Sequence, residues 1–191
     1  NNYDSTFAGI NFDADIGYSG DDYIGSDISR STAYGYNGPA VDGSGAPGHY
    51  GEHPPAQGMT ILKGPLMDAD GMDNPTGGCD ESINGMGFGD GIADNETFGM
   101  TNFAFYCNPS SAGCVGSTQG DPSITAHYYN YLSGSWKDGT EMRYGGNGHQ
   151  GNCTSCEPAN FMFPGVTDPC NWGTGGIQPS DTNPWTEQEA G

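Results

Sequence analysis

FGMTNFAFY, residues Phe98–Tyr106, is the most strand-like run in the chain. It is rich in aromatics and offers Phe98, Met100, Phe103 and Phe105 to a core. Upstream, Ser31–Asn37 (STAYGYN) and Ala56–Leu66 (AQGMTILKGPL) read as further strands. Within Thr6–Gly25, the apolar Phe7, Ile10 and Phe12 predict a strand that gives way to an acidic loop. Downstream, Asp121–Gly134 (DPSITAHYYNYLSG) is the convincing helix. Asp121 or Ser123 can cap it, Pro122 suits its first turn, Gly134 can end it, and Ile124, Tyr128, Tyr131 and Leu132 share a face. Trp136–Tyr144 predicts two short strands around a Lys137-Asp138-Gly139 turn, and Phe161, Met162 and Phe163 are the last core candidates. The expected fold is mainly β: a sandwich-like module with one short helix at about 122–132 and long loops, which the Asp- and Gly-rich stretch Met67–Asn95 and six cysteines mark as calcium- and disulfide-braced. Residues 1–173 form a single domain with an acidic insertion at about 67–96, and 174–191 form an extended tail.

Composition constrains what such a module can be. The 191 residues carry 24 Asp and Glu against 4 Lys and Arg, a formal charge of −20, with 34 Gly and 13 Pro. Leu, Ile, Val and Phe together number only 23, a proportion typical of disordered chains. Aromatics at 12%, six cysteines and acids clustered beside glycines argue instead for a folded chain with a thin core. The scarcity of leucine excludes an all-α fold, and no apolar run approaches the ~20 residues of a membrane helix, so no membrane insertion is expected. The negative charge repels phosphate, which removes nucleic acid and anionic lipid as partners. The chain begins Asn1-Asn2-Tyr3 without Met or a visible signal peptide, which suits a mature or excised fragment.

The acids are arranged in a pattern. Asp68, Asp70-Gly71-Met72-Asp73-Asn74, then Asp80-Glu81, precede Asp90-Gly91-Ile92-Ala93-Asp94-Asn95-Glu96, so an Asp-Gly…Asp-Asn element occurs twice. Calcium takes six to eight oxygens from carboxylates and carbonyls, and glycine lets a chain curl around it. Asp68, Asp70, Asp73, Asp80, Glu81, Asp90, Asp94, Asn95 and Glu96 are therefore candidate Ca²⁺ ligands, without the spacing or helices of an EF-hand. The alternative is a solvated loop using Asp-Gly and Asn-Gly for turns. Asp13, Asp15, Asp21, Asp22 and Asp27 form a second candidate cluster.

Cys79, Cys107, Cys114, Cys153, Cys156 and Cys170 point to disulfides in an oxidising compartment, with connectivity undetermined and Cys107–Cys114 the favoured local bridge. The competing reading is zinc on His149, Cys153, Cys156 and Cys170. No catalytic constellation emerges: Glu is scarce, no nucleophile elbow or phosphate loop is present, and His49 and His53 lie in a Gly/Pro loop. The many tyrosines and tryptophans are expected mainly to fill the core, with Trp172 and Trp185 as candidate glycan or subunit contacts.

Several segments resemble a region of large secreted surface proteins of Bacteroidetes that end in a type IX secretion sorting domain. They are Phe7–Tyr36 (FAGINFDADIGYSGDDYIGSDISRSTAYGY), Pro54–Pro65 (PPAQGMTILKGP), Asp70–Asn95, Tyr128–Asn147 (YYNYLSGSWKDGTEMRYGGN) and Phe161–Gly176 (FMFPGVTDPCNWGTGG). The resemblance implies a secreted or cell-surface location and glycosylation, for which Asp4-Ser5-Thr6 is a short O-glycosylation-like match. It assigns no catalytic residues. The expected function is a non-enzymatic, calcium-binding structural or adhesive module that forms a homo-oligomer or fibre. The alternative is a calcium-dependent carbohydrate-binding module for surface polysaccharide.

Overall fold

The computed structural model describes residues 5–79, 82–108, 116–145, 148 and 155–175. Three antiparallel strands form one sheet in the order β1-β2-β3: β1 Asp22–Asp27, β2 Thr32–Asn37 and β3 Ala56–Thr60. A 3₁₀ turn, Ile28–Arg30, joins β1 to β2 and is closed by Ser31 N–H donating to Ile28 O. The register pairs Asp27 with Thr32 beside this turn and Asp22 with Asn37 at the far end. Among the described residues β3 pairs with β2 alone, and it is largely exposed. Together with isolated bridges and one helix this is a mainly β chain. Among the described residues it holds one sheet, not the two of a sandwich.

Two expected strands form differently. Phe7 and Ile10 are exposed and join no ladder, while β1 arises from DYIGSD, within and just beyond the segment read as an acidic loop. Burial explains the exchange. β1 is covered on both faces because Ser26 N–H donates to Phe163 O (3.1 Å) and its hydroxyl to Met162 O (2.8 Å), tying the strand beneath the late aromatic segment. Phe98–Tyr106 is extended but is not a continuous strand. Its N–H groups are served one by one: Phe98 by Pro65 O, Gly99 by Ser82 Oγ, Met100 by Ser31 Oγ and Phe103 by Asn160 O. Its core role holds, since Met100 is buried and Phe103 and Phe105 pack against the buried clusters.

The centre of the molecule is Ala159–Phe163, where Phe161, Met162 and Phe163 are almost wholly enclosed. Phe161 bridges in parallel to Phe103 on one side and Gly173 on the other, and Ala159 N–H donates to Met142 O. Trp136, Met142, Tyr131 and Ile24 pack around Met162 and Phe163, while Ile28 and Met100 pack around Phe161. Thr174 is also fully buried and donates its N–H to Phe161 O, so the core extends past the expected boundary at residue 173. Residues 176–191 lie outside the described residues.

The helix, α1, spans Thr125–Leu132 with Ile124 at its N-cap and no side-chain cap. Neither Asp121 nor Ser123 caps it; His127 Nδ1 accepts from Ser123 N–H at 3.2 Å, one residue ahead of the N-cap. Gly134 ends the helix as expected. At φ +79° it lets its own N–H reach Tyr131 O and that of Ser135 reach Asn130 O, a paired closure of the last carbonyls. Of the expected apolar face, Tyr131 is buried, with its hydroxyl on Gly120 O (3.0 Å), but Ile124 and Tyr128 face solvent. Trp136 to Tyr144 forms a tight turn with a Ser135–Glu141 bridge in place of two strands. Among the described residues no helix is long and apolar enough to cross a membrane.

Candidate metal centre

The 67–96 segment contains no helix or strand among its described residues, yet it is closely ordered. A Leu66–Thr97 bridge closes its neck, with Met67 N–H on Glu96 O and Phe98 N–H on Pro65 O. Inside, the two Asp-Gly elements make equivalent turns. Asp70 Oδ1 accepts from Met72 N–H (2.8 Å), and Asp90 Oδ1 accepts from Ile92 N–H (2.9 Å). Gly71 and Gly91, at φ +80° and +89°, each supply the left-handed residue that brings the next N–H round to the aspartate. The later aspartate of each element then caps the other turn. Asp94 Oδ1 accepts from Asp70 N–H (2.8 Å) and Gly71 N–H (2.7 Å), while Asp73 accepts from Gly89 N–H (2.8 Å) and Gly91 N–H (2.6 Å). Met72 O and Asn74 O receive Asp94 N–H and Gly89 N–H, completing a reciprocal pair of loops.

Glu96 is 4% exposed and its Oε1 accepts from Asn74 N–H at 2.6 Å. Asn95 Nδ2 donates to Asp90 Oδ2 (2.9 Å), leaving its enclosed Oδ1 without a partner. Asp68 is exposed. Asp70, Asp73, Asp90, Asp94 and Glu96 thus act as acceptors for backbone N–H groups. This is a use of carboxylates that residue type alone does not separate from metal binding. Asp80 and Glu81 lie outside the described residues.

The second cluster divides. Asp13 and Asp15 are exposed. Asp27 is at the hairpin-turn end of β1, held by Ser29 and by Arg30, whose Nη1 lies 2.5 Å away. Burial raises its pKa, but the Ser29 and Arg30 contacts outweigh this and the net shift is downward. Asp22 stands at the other end of the strand, roughly 17 Å off at ~3.3 Å per residue, so Asp22 and Asp27 cannot share one ion. Asp21 and Asp22 instead meet Asn37 and Asp42, neither of which the sequence singled out. Asp22 is 1% exposed, and its Oδ2 accepts from Ile16 N–H at 2.6 Å. Asp42 is fully buried, accepting from Tyr18 N–H (2.8 Å) and Tyr50 N–H. Asp21 Oδ2 accepts from Gly43 N–H at 3.0 Å. Burial pushes Asp22 up to about 6, against the Ile16 hydrogen bond and with help from the charges of Asp21, Asp42 and Asp15. Desolvation acts likewise on Asp42, but the Tyr50 and Tyr18 amides and His49 bring it below the usual carboxylate range. Among the described residues no group of three or more His, Cys, Asp and Glu side chains is arranged to hold a metal ion.

Cys79 is bonded to Cys170, with Cα atoms 5.5 Å apart, linking the acidic loops to the segment that flanks Phe161. Cys107 and Cys156 are also disulfide-bonded. These bonds overturn the zinc alternative: Cys156 and Cys170 have no thiolate to offer a metal. His149, Cys153, Cys114 and Trp185 lie outside the described residues, and with them the Cys107–Cys114 pairing. Trp172 stacks on Phe161, ring centroids 6.3 Å apart at 14°, and forms part of the core wall. The tyrosines fill the core less than expected: Tyr23 and Tyr131 are buried, but Tyr18, Tyr50, Tyr128, Tyr129 and Tyr144 are exposed. Compared with known proteins, the chain matches no family model, no curated protein and no solved structure.

Proposed function

We propose that this chain is a non-enzymatic, calcium-stabilised structural or adhesive module of a secreted or cell-surface protein, assembling with copies of itself into a fibre or layer. The observation that carries the reading is how the chain is held. Paired Asp-Gly loops capped by each other's carboxylates, with a disulfide beside them, supplement a small apolar core. Disulfide bracing of a thin core suits an extracellular setting. Carboxylate oxygens that accept one N–H keep further lone pairs for a hard cation. The resemblance to type IX-secreted surface proteins, with glycosylation near Asp4-Ser5-Thr6, belongs to the same reading. For assembly, β3 leaves one strand edge open among the described residues, the geometry on which a neighbour's extended segment adds. At −20 per copy, assembly needs cation neutralisation.

The test is thermal unfolding of the full chain in chelator and in millimolar calcium, with light scattering and negative-stain imaging of both samples. A cation at a hundredfold excess over its Kd adds roughly 2.7 kcal/mol, so the midpoint should rise by several degrees and assemblies should form only with calcium. Identical midpoints remove calcium from the reading, and a strict monomer at high concentration removes assembly. The five exposed tyrosines favour a second reading, a calcium-dependent carbohydrate-binding module. Retardation of a monomer in polysaccharide gels would select it.

A further inference from the structure

We propose that Asp21, Asp22 and Asn37 form a buried site for one calcium ion at the open end of the β1–β2 hairpin, with Asp42 as a flanking carboxylate. The inference rests on the calcium reading above and gives it a location other than the Asp70–Glu96 loops.

Three enclosed oxygens in this corner have no hydrogen-bond partner: Asp21 Oδ1, Asp22 Oδ1 and Asn37 Oδ1. Each side chain is anchored through its other polar atom. Asp21 Oδ2 is held by Gly43 N–H, Asp22 Oδ2 by Ile16 N–H, and Asn37 Nδ2 donates to Pro39 O at 2.6 Å. What remains from each is one oxygen with no partner at all. Asp22 and Asn37, 1% and 7% exposed, are direct partners in the β1–β2 register, so their Cβ atoms lie roughly 5 Å apart on one face of the sheet. Asp21 is brought to the same corner by its main-chain O, which accepts from Gly38 N–H beside Asn37 (2.8 Å), and its charge acts on Asp22. Asp42 is joined to the same corner, because its carboxylate takes Tyr18 N–H two residues beyond the Ile16 amide that Asp22 takes, and the next amide, Gly43, holds Asp21.

An enclosed acceptor without a donor costs free energy, and an enclosed carboxylate without a counter-charge costs more. Among the described residues the ion pairs are Arg30–Asp27 and Arg143–Glu141, and neither serves this corner. His49, packed beside Tyr18 at 5.4 Å, has its Nδ1 occupied by Ser44 N–H and acts on Asp42. Two carboxylate oxygens and one amide carbonyl oxygen form an all-oxygen donor set, which calcium completes with water or backbone carbonyls. The competing arrangement is a protonated Asp22 that donates to Asn37 Oδ1 and needs no ion.

The experiment uses the full chain stripped of metal by chelator. Calcium titration is followed calorimetrically, and unfolding midpoints are measured in chelator and in calcium, for wild type, Asp22→Asn, Asn37→Ala, Asp21→Asn and Asp73→Asn. Asp21→Asn is the safeguard against misfolding, because its residue is only partly buried and keeps an acceptor for Gly43. The expected result is calcium binding by wild type, at least tenfold weaker binding in the Asp21, Asp22 and Asn37 variants with loss of the calcium-induced rise in midpoint, and retention of both in Asp73→Asn. Wild-type binding that survives in all three corner variants overturns the location and leaves calcium to another site. Absence of any calcium binding by wild type overturns the calcium reading itself and favours the protonated Asp22.

Discussion

Asp73 and Asp94 show what one carboxylate does in this chain. Each accepts two backbone N–H groups from the turn opposite, so each fixes a loop to which it does not belong. A hydrogen bond to a charged acceptor contributes more than a neutral one, discounted here for partial exposure. Asp73→Ala and Asp94→Ala should each lower stability in chelator by about 1–2 kcal/mol. Because each removes one half of the same interlock, the double variant should cost less than the sum, which denaturant midpoints of all four proteins will measure. Asp138 offers a pH-resolved counterpart. Burial raises its pKa, but the Thr140 hydroxyl and N–H and the Thr118 hydroxyl outweigh this, leaving it below its ordinary 3.8. Its stabilisation is therefore complete above the unfolded pKa and lost as pH falls through the folded one. Asp138→Asn should destabilise at pH 7, and in urea titrations the gap from wild type should narrow as pH falls below the ordinary carboxylate value and through the lowered folded one. At this scale the sequence marks the acids and the Asp-Gly repeat but not their use, because a carboxylate serves an N–H or a cation equally well. Asn37 and Asp42 were beyond its reach for another reason: Asn37 joins Asp22 only through the strand register, and Asp42 arrives from a Gly/Pro loop that residue type marks as surface.

Elements end where local chemistry dictates and form where tertiary contacts allow. Gly134 is the clearest case of the first. At φ +79° a Cβ would meet Asn102 at an ordinary 3.6 Å, so the cost of a side chain is conformational and not steric. Gly134→Ala should destabilise by about 1 kcal/mol and Gly134→Asn by less, since asparagine tolerates the left-handed region. Equal losses in chemical unfolding would show that packing against Asn102 matters instead. The end of α1 was legible because a helix terminus is written in neighbouring residues. Strands were not equally legible. β2 and β3 lie within the segments that composition marks, but FGMTNFAFY, with the best strand composition, is unzipped by partners as scattered as Pro65, Ser82, Ser31 and Asn160. DYIGSD, with poor strand composition, forms β1 because Met162 and Phe163 cover it from more than 130 positions away. Such long-range cover has no local signature.

For the whole molecule the question is what joins the acidic loops to the aromatic centre. The links are the Leu66–Thr97 neck, Ile83 packed on the Ile28–Met100–Phe161 cluster with Asn84 Nδ2 donating to Ile28 O, and Cys79–Cys170, which spans 91 positions and ends near Trp172 and the Phe161 spine. Closing so long a loop removes much of the unfolded chain's freedom, roughly 4–5 kcal/mol on the chain-entropy account. A domain with few large apolar residues has about 5–15 kcal/mol of stability at most, so this one bond is a large share of it. Cys79→Ser/Cys170→Ser leaves the other disulfides intact and isolates that share. Its denaturant midpoint should fall sharply, and limited proteolysis should cut first within 67–96, where the loops would then be held by the neck and the noncovalent Ile83 and Asn84 contacts without a covalent tie. Calcium should protect the two proteins differently if the ion sits at the Asp21–Asp22–Asn37 corner. That corner is braced by the sheet and not by the disulfide, so the calcium-induced rise in midpoint should persist in the serine variant while the loop remains cleavable. A variant whose loop regains wild-type resistance on adding calcium would place the ion in the loops instead, and would make the disulfide and the metal two braces on the same segment.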